Sequence, residues 1–314
     1  MPRTKRIFIS REHGSHHLYS QTVGAELLFG SREKEQLLKI LKRLTSGFFV
    51  EVHGFAIMSN HIHLIVTEQE EASRLASESE LLERYHRIMG RKAEPPLGSH
   101  KPDGRVEVDE DGGVERLRAR LGSISRFMQE FKQSFSRWYN KTHQRKGYLW
   151  SDRYGDKVLE RGDHELVCRS YIDLNAIRAG ICGLPEGYRW SSIGLRVRSP
   201  KSWGKLLSPL PGERDRPEGL FDWYRQYLYH SGGIDAPGKA KIDPEIVKSV
   251  EEYHGRLGIG DLLRYRVRNL TEGLALGSRE FIEQHQRLLG RKHIGARRLL
   301  EGCELFVTRV LRSP

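Results

Sequence analysis

Two histidines, His61 and His63, stand one residue apart at the start of an apolar run that ends near Val66. Such a run is typical of a buried β-strand, in which alternate side chains point to opposite faces of the sheet. Both imidazoles then share one face, with Cα atoms roughly 6–7 Å apart at a rise of about 3.4 Å per residue. This spacing suits a divalent cation. Two hydrogen-bonded strand histidines without a metal are the alternative, and this short motif does not decide between them.

A second pair of reactive residues lies in a segment that predicts a helix over residues 164–179, with Asp163 as N-cap and Gly180 as C-cap. Tyr171 and Asn175 are four positions apart, which places them on one helical face. A tyrosine hydroxyl becomes a nucleophile toward phosphate when a cation withdraws charge from that phosphate. An amide oxygen is a suitable ligand for Mg²⁺ or Mn²⁺. A half-buried structural tyrosine and a surface asparagine are the alternatives.

The elements that must position these residues predict an α+β fold. The histidine pair opens the second strand of a predicted β-hairpin, and leucines at helical spacing follow the first strand. The order strand, helix, strand, strand, helix, strand, helix favours a ferredoxin-like antiparallel sheet with helices on one face. The predicted strands span residues 19–30 with a turn, 48–58, 61–67 and 154–159, and the predicted helices span residues 31–46, 116–142 and 164–179.

The charge of the chain points to a polyanionic partner. Its 314 residues carry a formal net charge of +12 at pH 7, which favours nucleic acid first and an anionic membrane surface second. Between Arg116 and Lys146 there are nine Lys or Arg residues and one acid, Glu130. This bias suggests a surface that follows phosphates, although a plain solvated face is the alternative for any single residue. The candidate DNA contacts are Arg126, Lys132, Arg137, Lys141, Arg153 and Arg178.

Composition also argues against several classes of protein. No apolar run approaches the roughly 20 residues that cross a bilayer, and the apolar stretch after the basic start is too short for a secretory signal. Cys168, Cys182 and Cys303 lack the spacing of a disulfide framework or a zinc cluster. We therefore expect a cytoplasmic protein without a membrane partner.

Changes in composition divide the chain into three segments. Residues 10–195 are expected to form the core domain, with an exposed insertion at about 91–113 that is rich in glycine and proline. Residues 196–235 are expected to be a loop-rich connection. Residues 236–314 are expected to form a mainly helical C-terminal module, with DNA or a protein partner as its candidate ligand.

Four segments resemble the HUH single-tyrosine transposases, and within them the REP-associated tyrosine transposases. They are residues 58–63 (MSNHIH), 148–154 (YLWSDRY), 171–180 (YIDLNAIRAG) and 188–192 (YRWSS). The similarity covers roughly residues 10–195, which the resemblance implies are the catalytic domain. Ala176 stands where that family commonly has proline, a change outside the reacting groups.

The resemblance implies that His61, His63 and Asn175 bind Mg²⁺ or Mn²⁺ and that Tyr171 is the nucleophile. It implies an enzyme of the prokaryotic nucleoid that cleaves and rejoins single-stranded or hairpin DNA through a 5′-phosphotyrosine intermediate, without ATP. Whether it acts as a homodimer stays open. Two alternatives also stay open: a nonenzymatic DNA-binding regulator on the same scaffold, and a metal-dependent nuclease in which water attacks the phosphate.

Overall fold

A computed structural model confirms the α+β class and describes residues 14–96, 98–100, 106–108, 110–199, 202–210, 220–250, 275–278, 280–281, 283, 294–298 and 306–310. The strands are β1 (Gly14–Gln21), β2 (Val50–Ile57), β3 (His61–Glu68), β4 (Gly98–His100), β5 (Val106–Val108), β6 (Gly155–Glu160), β7 (Ala275–Gly277), β8 (Ile294–Arg298) and β9 (Phe306–Val310). The helices are α1 (Ser31–Thr45), α2 (Glu70–Leu75), α3 (Glu78–Met89), α4 (Glu110–Gly122), α5 (Ile124–Thr142), α6 (Asp163–Asp173), α7 (Asn175–Arg178), α8 (Ser192–Arg198), α9 (Leu220–Gly233) and α10 (Pro244–Val250).

The sheet has an antiparallel centre in the order β2-β3-β1-β6, which is the order expected of a ferredoxin-like fold. The predicted β2–β3 hairpin is confirmed, and β3 begins at His61 as expected. Beyond β6 the sheet continues through β7, which is parallel to β6, and then through β9 and β8. Residues 236–314 were expected to be mainly helical. Their described part contains the helix α10, but it also adds the strands β7, β8 and β9 to the sheet. β7 pairs with the edge of β6 at Val158 and Leu159, whose backbone groups would otherwise lie unpaired there.

Both faces of the sheet are covered. Leu18 and Leu64 pack with residues of α1 and α5 in one hydrophobic cluster, whereas Ile65 and Leu159 pack with residues of α6 in another. The expected placement of helices on one face holds for α1 and α5, but α6 lies on the opposite face. The reason is visible in β3, which is buried at every position from Ile62 to Thr67, so that neither face can be left to solvent.

The predicted helix over residues 116–142 is divided into α4 and α5 at Ser123, whose backbone is extended (φ −94°, ψ 120°). Its Oγ accepts a hydrogen bond from the backbone N–H of Arg126 at 3.3 Å, and Glu68 Oε1 accepts one from the N–H of Ile124 at 2.9 Å. These two acceptors satisfy the first N–H groups of α5, which explains why a new helix begins here.

The segment predicted as an insertion contains the β4–β5 hairpin, and residues 97, 101–105 and 109 within it lie outside the described residues. Residues 220–250 pack on the core, because a third hydrophobic cluster joins Leu174 and Ile177 to Tyr224 and Leu228 of α9. The division into three segments stays a prediction.

Cys168 and Cys182 are free thiols, and Cys303 lies outside the described residues. None of the described helices is long and apolar enough to span a membrane.

The buried His53 on β2 makes stability depend on pH. Its Nε2 shares a hydrogen bond of 2.9 Å with Thr67 Oγ1, and its Nδ1 lies 3.9 Å from Glu165 Oε1. Burial lowers the pKa of His53 from 6.5 to about 4. Between these values the unfolded chain binds more protons than the folded chain. We therefore expect the free energy of unfolding to fall as pH falls through this range, by about 3 kcal/mol at most from this residue.

Urea denaturation at about pH 7 and about pH 4.5, followed by circular dichroism, measures this loss. The matched variant is His53→Gln, which keeps a hydrogen-bonding group beside Thr67 but does not titrate. It is expected to lose less stability than the wild type over the same interval. Equal losses in the two proteins would show that His53 takes up no extra proton on unfolding.

Candidate active site

The two strand histidines lie on one face of β3, as their spacing predicts, with ring centroids 5.0 Å apart. His61 Nδ1 donates to Oδ1 of Asn60 at 2.6 Å, and His63 Nδ1 shares a hydrogen bond of 3.0 Å with His17 Nε2. In both rings a neighbouring side chain forms a hydrogen bond with Nδ1, so Nε2 is the nitrogen suited to bind a metal. Such second contacts fix the orientation of ligating histidines in metal sites.

His17 is a site residue that sequence reasoning did not assign. It lies on β1, where Tyr19 is opposite His63 and Gln21 is opposite His61. Its ring centroid is 5.1 Å from that of His63. The signal in the sequence is that His17 and Tyr19 are two positions apart and so share one face of a strand. Only the pairing of β1 with β3 puts that face beside the histidine pair.

The pKa values of the two histidines suit ligation. Burial, together with the neighbouring His17 and His61, lowers the pKa of His63 well below 6.5. Burial also lowers the pKa of His61, and the neighbouring Asn175 side chain opposes this decrease only in part. Both rings are therefore neutral near pH 7, and the neutral imidazole is the form that donates a lone pair to a metal.

Tyr171 and Asn175 come to the same place from the opposite side of the site. The ring centroid of Tyr171 is 5.7 Å from that of His63. Asn175 begins α7, and the backbone hydrogen bonds across Leu174 continue the helix closely enough to keep the two residues one turn apart. The Asn175 side chain lies close enough to Tyr171 and His61 to influence the pKa of each. The structure thus brings together the four predicted residues of the site.

Burial raises the pKa of the Tyr171 hydroxyl above its ordinary value, and the hydrogen bond from Asn175 opposes this increase only in part. The phenol is therefore protonated near pH 7 in the protein without ligands. Loss of its proton needs additional positive charge nearby. A bound cation beside the histidine pair would supply that charge.

Buried polar contacts hold α6 in place beneath the site. Arg169 Nη2 donates to Glu165 Oε1 at 2.9 Å, and both side chains are almost completely buried. At the end of α6, Asp173 accepts hydrogen bonds from Ser192 Oγ at 2.6 Å, from the N–H of Ile193 at 3.0 Å and from the hydroxyl of Tyr224 at 2.7 Å. These contacts join α6 to α8 and α9, and thereby fix the direction in which Tyr171 enters the site.

Gly155 allows β6 to approach the site closely. It lies opposite Tyr19 in the β1–β6 pair, and a Cβ atom at this position would stand only 2.2 Å from Cζ of that ring. The Tyr19 ring in turn lies 6.4 Å from His63 between centroids. Glycine is therefore required at residue 155 for the Tyr19 ring to stay beside the histidines.

The described residues contain no group of three or more His, Cys, Asp or Glu side chains that would hold a metal by themselves. His61 and His63 are the two predicted imidazole ligands, and His17 hydrogen-bonds His63 with its Nε2, so a third ligand of another type is needed. The amide oxygen of Asn175, within hydrogen-bond reach of His61, fits that requirement. Imidazole nitrogens combined with an amide oxygen suit Mn²⁺, and Mg²⁺ when water completes its shell.

The six candidate DNA contacts fall in different surroundings, and their role stays a prediction. Lys132, Arg137 and Arg153 line one cleft beside α5, whereas Arg126 and Lys141 are exposed elsewhere on that helix. The guanidinium of Arg178 donates to the backbone carbonyls of residues 231, 234 and 240. Arg178 therefore has a structural role in holding the end of α9.

Comparison with known proteins yields a distant likeness. No protein-family model matches the chain, and no curated protein matches it. The chain is similar to a solved structure described as "Structure of the REP associates tyrosine transposase bound to a REP hairpin". The identity is 12% and the TM-score 0.40, over 67% of this chain and 89% of that chain.

Proposed function

We propose that this chain is a metal-dependent, transposase-type endonuclease that cleaves and rejoins DNA through Tyr171. The observation that carries the proposal is the position of the Tyr171 ring, whose centroid lies 5.7 Å from that of His63 and 6.4 Å from that of His17. A tyrosine on α6 thus stands beside a neutral histidine pair on β3. A nucleophile next to a cation site is the arrangement that phosphoryl transfer requires.

The proposed reaction uses these residues as follows. His61, His63 and Asn175 would hold Mg²⁺ or Mn²⁺, and the ion would withdraw charge from the oxygens of the scissile phosphate. Tyr171 Oη attacks the phosphorus in line and gives its proton to solvent, the bond to O3′ breaks, and O3′ takes up a proton from solvent, so that the upstream strand leaves with a 3′-hydroxyl. The downstream strand is then linked to the protein as a 5′-phosphotyrosine. A second 3′-hydroxyl reverses the step and joins the strands. Because the tyrosyl ester keeps the energy of the phosphodiester, no ATP is needed.

Single-stranded or hairpin DNA is the proposed substrate. The net charge of +12 supports a polyanion, and the basic side chains of Lys132, Arg137 and Arg153 lie together beside α5. An unpaired strand also suits a site in which Tyr171 is mostly buried, because the phosphate must be brought to the hydroxyl without the bulk of a duplex.

We expect Mn²⁺ to raise the melting temperature of the protein by binding at the histidine pair. At a concentration of about 100 times Kd, a ligand of the folded state stabilises it by about 2.7 kcal/mol. The variant His61→Ala is expected to lose the Mn²⁺-dependent increase, whereas the control His86→Ala on α3 keeps it. Thermal denaturation with and without Mn²⁺ measures the effect. Equal increases in all three proteins would show that the cation binds elsewhere.

The chemistry is tested with hairpin-bearing single strands labelled at the 5′ or the 3′ end, incubated with Mg²⁺ or Mn²⁺ and separated on a denaturing gel. A 5′-phosphotyrosine places the 3′ label in a protein-linked band and the 5′ label in a shorter free strand. We expect both products, and neither in EDTA. Cleavage without a protein-linked band would assign a hydrolytic nuclease. Binding without cleavage over a panel of hairpins would favour a DNA-binding regulator.

A further inference from the structure

A cleft of about 1070 Å³ lies between α5 and residues 147–154, the segment that leads into β6. Ser125, Gln129 and Lys132 are among the α5 residues that line it, at helical spacing along one face. The histidines and Tyr171 are not among its lining residues. The cleft is therefore distinct from the candidate active site.

The cleft nevertheless adjoins that site through β1. The N–H of Ser151 donates to the carbonyl of Gln21 at 2.9 Å, and Gln21 lies opposite His61 in the β1–β3 pair. With about 4.8 Å between neighbouring strands, the wall of the cleft lies roughly 10 Å from the backbone of His61. The cleft lies on the α5 face of the sheet and the histidines lie on the α6 face, but both are at the end of the sheet where β1 ends at Gln21 and β3 begins at His61. A DNA strand whose phosphate lies at the histidine pair can therefore pass around this end of the sheet into the cleft.

Aromatic side chains give the cleft a surface for bases. Trp150 lies in its wall, mostly buried, with Nε1 donating to the carbonyl of Lys132 at 3.3 Å. Tyr148 is different, because its side chain is 89% exposed and so contributes little to the core. An exposed ring next to a groove is a platform on which an unpaired base can stack.

The charges around the cleft favour a polyanion. Three cationic side chains line it, Lys132, Arg137 and Arg153, against the single carboxylate of Asp152. Lys132 Nζ donates to the carbonyl of Asp152 at 2.6 Å and lies 5.4 Å from the centre of the Trp150 ring. No hydrogen bond or ion pair to a described residue holds the guanidinium of Arg153, which leaves it available for a phosphate.

We propose that this cleft binds unpaired bases of the DNA substrate, with one base stacked on Tyr148 and the adjoining phosphate beside Arg153. The proposal rests on the proposed function, since it assigns where that substrate extends from the active site. It gives the enzyme a means to distinguish a hairpin that carries a single-stranded extension from a blunt hairpin. Stacking tolerates any base, so this preference concerns unpaired structure more than sequence.

The test measures binding in EDTA, where no strand is cleaved, by fluorescence anisotropy of a labelled hairpin with a six-nucleotide extension and of the same hairpin without it. We expect the extension to tighten binding to the wild type by at least about 10-fold. Tyr148→Ala should remove most of that gain and Tyr148→Phe should keep it. The control Leu75→Ala, at an exposed apolar residue of α2, should behave as the wild type.

Equal weakening of both hairpins by Tyr148→Ala, or no weakening of either, would overturn the proposal. Since Tyr148 is exposed, its truncation leaves the core intact, and circular dichroism verifies the fold. The measurement is independent of chemistry at Tyr171. A protein that forms no tyrosyl adduct but shows the Tyr148-dependent gain refutes only the proposed reaction. A protein that forms the adduct without this gain refutes only the assignment of the cleft.

Discussion

Tyr171→Phe is expected to abolish the protein-linked DNA product and to lower the rate of strand cleavage at least about 10⁴-fold. The substitution removes only the hydroxyl and leaves the ring in the hydrophobic cluster it shares with Ile172 and Tyr188. No other group in the site then forms the ester bond to phosphorus. DNA binding and the melting temperature are expected to stay close to those of the wild type, because no apolar contact is lost.

The matched control is Tyr188→Phe, since Tyr188 lies in the same cluster and its hydroxyl donates to the carbonyl of Ile57 at 2.6 Å. It should lose about 1 kcal/mol of stability and keep the protein-linked product. The denaturing gel used for the wild type measures both variants. Wild-type cleavage by Tyr171→Phe would make water the attacking group, and a remaining adduct would place the nucleophile on another residue.

Arg169→Met is expected to lower the free energy of unfolding by about 3–5 kcal/mol. Arg169 is 1% exposed and Glu165 is 0% exposed, so removal of the guanidinium leaves a buried carboxylate without its closest cation. Arg161 Nε, at 3.8 Å from Glu165 Oε2, is too distant to replace that contact fully. Glu165 and Arg169 lie on α6 with Tyr171, so Arg169→Met is also expected to displace Tyr171 and slow adduct formation.

The double variant Glu165→Leu/Arg169→Met tests the cause, because it removes both charges. We expect it to recover most of the lost stability, since apolar replacements of a buried ion pair are often neutral. Arg87→Met is the control: Arg87 pairs with Glu83 at the same helical spacing but on the surface, and its loss should cost at most about 1 kcal/mol. Urea denaturation measures all three. Additive losses in the double variant would show that the ion pair is not the reason for the instability.

Local patterns in the sequence were sufficient for much of the site. The two-residue spacing of His61 and His63 determines that they share a strand face, and the four-residue spacing of Tyr171 and Asn175 determines that they share a helical face. The β2–β3 hairpin and the α+β class followed from the same kind of periodicity. These features depend on residues close together in the chain, so their geometry is set by backbone periodicity alone.

Other features depended on contacts between distant residues. The break at Ser123 needs the carboxylate of Glu68 as well as the local cap. The guanidinium of Arg178 carries a charge that suits phosphate, yet it donates hydrogen bonds to backbone carbonyls at the end of α9 instead. Neither partner can be identified from the neighbouring sequence.

The sequence by itself determined which side chains are paired, His61 with His63 and Tyr171 with Asn175. Only the tertiary structure decided that the two pairs meet, that His17 joins them, and that α6 covers the second face of the sheet. The physical reason is that strand register and helix packing follow from the burial of apolar surface across the whole fold. Periodicity orients a side chain within its own element, and packing between elements determines what that side chain faces.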